Sequence, residues 1–307
     1  MANETPAIIT EKLSKHYPSA DVYALKDLSL KIMPGEIYGF LGPNGAGKTT
    51  TIRLLMNFIQ PTKGRASILG NDIVHDSVEI KKSIGYLSGD PALYPKMTGH
   101  QFLSYMRALQ PPKHPSYMNE LAKRFNTNLN LRVGNLSKGN FQKIGIIQAF
   151  MHEPDVLILD EPTGGLDPLM QETFYELVKE TRERGACLFV SSHNLTEVQK
   201  MCDRVGFIRK GKLIAQQTLA DLTKEATQTF DIGFAEAIPI TELKHLSKAK
   251  ITKNSEHHIT IHMHGELSDL FAVLARHKVN SITQREASLE DDFLRFYRED
   301  EEDEAAN

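Results

Sequence analysis

Eight residues near the start of the chain have the types and order needed to hold a polyphosphate. They are Gly42-Pro43-Asn44-Gly45-Ala46-Gly47-Lys48-Thr49, which fit GxxxxGK followed by Thr, with Thr50 directly after. Glycines let a backbone wrap closely enough for several N–H groups to point at phosphate oxygens, and a helix opening there adds the positive end of its dipole. Lys48 supplies a point charge for β and γ phosphates. The Thr49 hydroxyl suits Mg²⁺, an ion that keeps several waters and takes only one or two protein oxygens beside the phosphates. The bland alternative is a glycine turn capping an ordinary helix. Against it stands the position of the loop, between an apolar strand pattern and a helical one.

A second cluster lies at Asp160-Glu161, directly after the apolar run Val156 to Leu159. Two carboxylates at the C-terminal edge of a buried strand sit where open α/β sheets bind ligands. Asp160 can then hold the metal through water. Glu161, one residue on, can accept a proton from the water that attacks a γ-phosphate, or orient it. A surface Asp-Glu pair starting a turn is the competing reading.

The elements that must position these groups follow from hydrophobic periodicity. Residues Ile8 to Ile32 read as edge strands of a sheet, broken by a polar turn around Pro18 to Asp21. Ile37 to Leu41, the glycine loop and a helix from Thr50 to Phe58 follow without a gap. Residues 88–154 read as a helical insertion, with helical spacing in Phe102 to Leu109, Tyr117 to Phe125 and Phe141 to Phe150. Its connections carry Pro91, Pro95, Pro111 and Pro112. The α/β rhythm then resumes with a strand at Val156 to Leu159, a helix at Met170 to Arg184, a strand at Cys187 to Ser191 and a helix opening at Asn194. Strands alternating with helices imply a largely parallel sheet covered on both faces. The expected organisation is an α/β domain over residues 1–217 and a small α+β domain over 218–298. In the second, strands are expected at Thr229 to Phe234, His257 to Met263 and Ser281 to Glu286, and helices at Ser268 to His277 and Leu289 to Arg298. Residues 299–307, with the acidic run Glu299 to Glu304, are expected as a solvated tail.

Composition narrows the function classes. The 307 residues are 40% hydrophobic and 24% charged, with 36 Lys and Arg against 39 Asp and Glu, so no bulk basic excess marks a nucleic-acid partner. No apolar run approaches the roughly 18 residues needed to cross a bilayer. The first residues lack a signal-peptide pattern, and cytoplasmic residence is the expectation. Cys187 and Cys202, outside any CxxC spacing, read as reduced packing residues. His257, His258, His262 and His264 suggest a metal strand. In a strand His258, Thr260, His262 and His264 share one face, yet Ile259, Ile261 and Met263 alternate on the other, as in a half-buried strand whose polar face is solvated.

The combined motifs resemble the nucleotide-binding subunit of an ATP-binding cassette (ABC) transporter. Leu136-Ser137-Lys138-Gly139-Asn140 is similar to the family's LSGGQ signature, and Gly164-Gly165-Leu166-Asp167 to its D-loop. His193 matches the switch histidine at the γ-phosphate, and Tyr17 the aromatic residue that stacks on adenine, with Tyr23 as competitor. The resemblance implies a P-loop NTPase fold and ATP hydrolysis with Mg²⁺. It further implies head-to-tail pairing with a second ABC ATPase subunit, the same or different, so that Ser137, Gly139 and Asp167 reach ATP held by the other copy. Separate transmembrane permease subunits, docking near Ser88 to Met97, would bring the chain to the cytoplasmic face of the membrane. Ser288 to Phe293 is similar to the SLEDxF box of export-type subunits with a small C-terminal domain. One departure stands out. Where the family usually has Gln after a strand, as in GYLPQ, this chain reads Gly85-Tyr86-Leu87-Ser88-Gly89-Asp90, placing Gly89 at the Gln position. Asp90 is a candidate substitute ligand for Mg²⁺. Gly89 is also the feature that favours a second reading, an ATP-gated regulatory cassette with slow turnover.

Overall fold

The computed structural model describes residues 5–18, 21–225, 228–244, 246, 249–263 and 267–285. They fall into two compact units, one ending at Gln217 and one starting at Thr218.

The first unit holds two sheets. A six-stranded sheet runs in the order Lys212–Thr218, Arg204–Arg209, Ile37–Leu41, Cys187–Ser192, Val156–Asp160, Ile84–Leu87. Ile37–Leu41 pairs in parallel with Cys187–Ser192 and with Arg204–Arg209, and Val156–Asp160 pairs in parallel with Cys187–Ser192 and with Ile84–Leu87. Every residue of Ile37–Leu41, Val156–Asp160 and Cys187–Ser192 is buried. Strands covered on both faces lose the apolar and polar alternation and read as continuous apolar runs. Phe189 sits at the centre of this packing, its ring 5.2 Å from Phe40 and 6.1 Å from Tyr38.

The second sheet holds the first strands. Val22–Ile32 is an edge strand, as expected, whereas Ile8–Tyr17 lies inside the sheet between Val22–Ile32 and Lys63–Ile68. Ile8–Tyr17 and Val22–Ile32 pair antiparallel with each other and, with Lys63–Ile68 and Asn71–Asp72, form a separate four-stranded sheet. Only one face of this sheet meets the core, through Ile8, Leu13, Leu28, Leu30, Ala66 and Ile68, so its strands alternate. Lys63–Ile68 escapes a sequence reading because Ala66 and Ile68 alone carry its period.

Between the strands Ile84–Leu87 and Val156–Asp160 lie the helices Gly99–Leu109, Tyr117–Arg124 and Lys138–Phe150. Thr98 starts the first of these with a reciprocal capping box to Gln101. The last buries Gln142, Ile144, Gly145, Ile146, Ile147, Ala149 and Phe150, so its C-terminal half is core while its first turn is not.

The second unit is a four-stranded antiparallel sheet in the order Ala249–Lys253, His258–Met263, Gln228–Phe234, Val279–Arg285, with helices Leu219–Glu225, Ile240–Lys244 and Ser268–Leu274. Phe230, Ile232, Phe234, Ile259, Ile261, Met263 and Leu270 make its core. His258 is exposed and His262 half-buried, the latter with Nδ1 3.0 Å from the Thr229 hydroxyl. Among the described residues no three metal-ligating side chains converge. His264, the expected helix Leu289 to Arg298, the box Ser288 to Phe293 and the run Glu299 to Glu304 lie outside the described residues.

Candidate active site

The phosphate loop turns off the end of the strand Ile37–Leu41, where the Gly42 N–H donates to Ser192 O at 3.2 Å, and ends in the helix Lys48–Leu55. Backbone crowding explains two of its glycines. A Cβ on Gly42 would lie 2.4 Å from Ile208 O, and one on Gly47 would lie 2.7 Å from Ala24 O. Gly47 also has φ +113°, a conformation other residues rarely adopt. The loop closes round a cavity of about 150 Å³ lined by Ala24, Pro43, Asn44, Gly45, Gly47, Lys48, Thr49, Thr50 and Glu161. Ala46 is buried behind the loop, and its carbonyl accepts from Gly211 N–H.

Lys48 is only 5% exposed, and its ammonium donates to Gly42 O at 2.7 Å and to Pro43 O at 3.3 Å. It also stands 3.3 Å from Glu161 Oε1. The other oxygen of Glu161 lies 2.5 Å from His193 Nδ1. The three groups singled out for catalysis are thus brought into one chain of contacts. Glu161 is set in position by a backbone φ of +48°, a conformation that costs a non-glycine residue about 1–3 kcal/mol and is held by its surroundings.

Asp160 ends its strand buried, with different duties for its two oxygens. Oδ2 accepts from the Thr49 hydroxyl at 3.2 Å, while Oδ1 accepts from the Ser191 hydroxyl. Adjacent hydroxyl and carboxylate oxygens are the hard donors that Mg²⁺ selects, so Thr49 and Asp160 fit that ion. Gly89 stands beside them, its absent Cβ 3.4 Å from Asp160 O and 3.7 Å from Asp160 Oδ2. Asp90 instead lines an adjoining groove with Arg53, Phe58 and Tyr86.

The remaining predicted residues lie outside the cavity of their own chain. Ser137 caps the helix Lys138–Phe150, accepting from Asn140 N–H at 3.4 Å, and Asp167 caps Pro168–Glu183, accepting from Met170 N–H at 3.0 Å. Gly139 packs on the D-loop so closely that a Cβ would lie 2.7 Å from Gly165 O. Tyr17 and Tyr23 are each 38% exposed, with the Lys15 and Lys26 ammonium groups over their rings. Burial raises the thiol pKa of Cys187 and of Cys202, and both are free cysteines.

Sequence reasoning missed several partners. Ser191 pairs in parallel register with Asp160, and the Glu161 N–H donates to its carbonyl at 3.1 Å. Glu197 bridges Thr163 and Ser192, and Gln142 Nε2 donates to Pro162 O at 2.8 Å. Strand adjacency could have pointed to Ser191. Nothing local marks the others.

A glycine phosphate loop between a central parallel strand and a helix, faced by an Asp-Glu pair at the end of the next strand but one, defines a P-loop ATPase. The ABC transporter family profile matches residues 25–164. The ABC transporter ATP-binding protein YhcH of Bacillus subtilis is 39% identical over 209 residues, 67% of this chain and 68% of the relative. The bacitracin transport ATP-binding protein BcrA of Bacillus licheniformis is 33% identical over 302 residues, 94% of this chain and 96% of the relative. A solved ATP-binding subunit of an ABC transporter superposes with a TM-score of 0.65 at 28% identity, covering 70% of this chain and 91% of that one. The chain belongs to the ABC transporter family as an ATP-binding subunit. Subunits of this kind are ATPases coupled to transport, and they work with transmembrane subunits. Among the described residues no helix is long and apolar enough to cross a membrane.

Proposed function

We propose that this subunit hydrolyses ATP at an interface between two cassettes arranged head to tail, and so drives export through separate transmembrane subunits at the cytoplasmic face of the membrane. The observation that carries the reading is the chain of contacts from Lys48 to Glu161, which both line the cavity of the phosphate loop, and from Glu161 on to His193. Lys48 exchanges its bonds to the Gly42 and Pro43 carbonyls for β and γ phosphate oxygens. Glu161, released from Lys48, takes the proton of the attacking water, and His193 holds Glu161 and the γ-phosphate in line. Thr49 and Asp160 would hold Mg²⁺, which would supply neutralisation of phosphate charge.

Ser137, Gly139 and Asp167 contact the ATP of the opposite cassette. Their place outside their own cavity is consistent with that, and so is the packing of Gly139 on Gly165. Tyr17 stacks on adenine. The transmembrane subunit docks near Ser88 to Met97, where a groove of about 500 Å³ bears the exposed rings of Phe58 and Tyr94. The export direction rests on the resemblance of Ser288 to Phe293 to export-type subunits. The regulatory reading draws no support from relatives that are transport ATP-binding proteins.

Glu161→Gln tests the proposal. Removing the proton acceptor lowers ATP turnover by about 10²-fold or more, and light scattering in Mg-ATP then shows a long-lived dimer. Unchanged turnover removes Glu161 from the chemistry. A strictly monomeric variant at saturating Mg-ATP refutes the two-cassette site.

A further inference from the structure

We infer that Glu197 is a positioning residue for ATP hydrolysis, its carboxylate locking together the two loops that carry Glu161 and His193. This inference rests on the roles proposed for Glu161 and His193.

Glu197 lies in the first turn of the helix Leu195–Met201, outside every motif of the family resemblance. Its Oε1 accepts from the Thr163 hydroxyl at 2.5 Å, and its Oε2 from the Ser192 hydroxyl at 2.9 Å. Thr163 follows Glu161 by two residues, and Ser192 immediately precedes His193. Both hydroxyl residues are buried, with 3% and 1% exposure, so neither has water as an alternative partner. On the other side of the loops, Glu161 Oε2 meets His193 Nδ1 at 2.5 Å. Glu161, Thr163, Glu197, Ser192 and His193 therefore form a closed ring of covalent and hydrogen-bonded links. The separation of the two reacting side chains is set at both ends.

The chemistry requires a carboxylate. The Ser192 hydroxyl already accepts from the Asn194 N–H at 2.9 Å, and of its two acceptors Glu197 Oε2, at 2.9 Å, is nearer than Asn194 O, at 3.3 Å. Thr163 gives its proton to Glu197. Two donors converge on one side chain, and only Asp or Glu offers two acceptor oxygens. A helix-start glutamate acting only on the helix dipole would need neither contact.

The test uses the full chain, with Glu197→Ala and the isosteric Glu197→Gln, each alone and combined with His193→Ala. Single-turnover and steady-state kinetics in Mg-ATP are read alongside thermal melting. A displacement of about 1 Å in a reacting group costs up to about 10²-fold in rate. Glu197→Ala is therefore expected to lower kcat about 10- to 10²-fold with KM within about twofold, and Glu197→Gln to fall between it and the parent. In the His193→Ala background the further loss shrinks below about threefold, because residues that act as a unit are not additive. Two results overturn the inference: unchanged kcat with only a lower melting temperature, or full multiplication of the losses in the double variant. The Gln variant keeps the test decisive if Ala prevents folding. If His193→Ala and Glu161→Gln themselves leave kcat intact, the site assignment fails first, and that outcome is separate from anything seen at Glu197.

Discussion

Replacing Ser191 by alanine removes a single oxygen from a position that is fully buried. That oxygen donates to Asp160 Oδ1 and stands 3.3 Å from the Glu161 N–H. The second contact is redundant, since the same N–H reaches Ser191 O at 3.1 Å. The first is not. Asp160 is 5% exposed, and the loss leaves one oxygen of a buried carboxylate without its donor, while Thr49 keeps the other. A hydrogen bond to a charged group contributes about 1.5–3 kcal/mol. In a unit of this size each kcal/mol moves Tm by about 2–4 °C, so Ser191→Ala lowers it by about 3–12 °C. The freed carboxylate also rotates, so the Mg²⁺ concentration giving half-maximal ATPase rises, whereas ATP binding in chelator does not change. Ser191→Thr keeps the hydroxyl and restores the Mg²⁺ requirement, while its added methyl at a fully buried position prevents full recovery of Tm. Differential scanning fluorimetry and a Mg²⁺ titration measure the two effects. A Tm shift below about 1 °C together with an unchanged Mg²⁺ requirement refutes the idea that this hydroxyl holds Asp160.

Acid should weaken the fold through His152. It is buried, its Nε2 lies 3.1 Å from Ile84 O, and burial lowers its pKa from the ordinary 6.5. The neutral ring is the folded form, so the unfolded chain binds the extra proton. Stability is therefore full above about pH 6.5 and is lost as pH falls toward the folded value. His152→Gln, whose amide can still donate to Ile84 O, flattens that part of a Tm-against-pH curve between pH 8 and 5; an identical slope in both proteins contradicts the assignment. Gly89→Gln should fold without penalty, because its Cβ meets Asp160 only at 3.4–3.7 Å, ordinary van der Waals contact. With the membrane partner present it should raise ATP turnover; no gain contradicts the idea that the site lacks a ligand at this position.

The chemistry of the phosphate loop was legible before any fold was known, because it lies in eight contiguous residues. Strand, loop and helix are local events, and so are the caps at Thr98, Ser137, Asp167 and Asn194, where a short polar side chain reaches a backbone N–H two or three residues on. The buried strands Ile37–Leu41, Val156–Asp160 and Cys187–Ser192 announced themselves by continuous apolar character. The first strands were legible as strands, but not which strands pair with them, nor that Ile8–Tyr17 is internal to its sheet. Pairing partners such as Ile8 with Ile68 lie sixty residues apart and leave no local trace.

What the sequence determined by itself is the inventory: a cradle for phosphate, a hydroxyl and an acid for a metal, and an acid and an imidazole for proton chemistry. Tertiary structure alone decided who holds whom. Parallel pairing of Val156–Asp160 with Cys187–Ser192 sets Ser191 against Asp160, and the helix after His193 swings Glu197 back to reach Thr163. Those contacts join residues 31 and 34 positions apart. Their energy depends on burial and on distances of a few ångströms, quantities that exist only once the sheet has assembled.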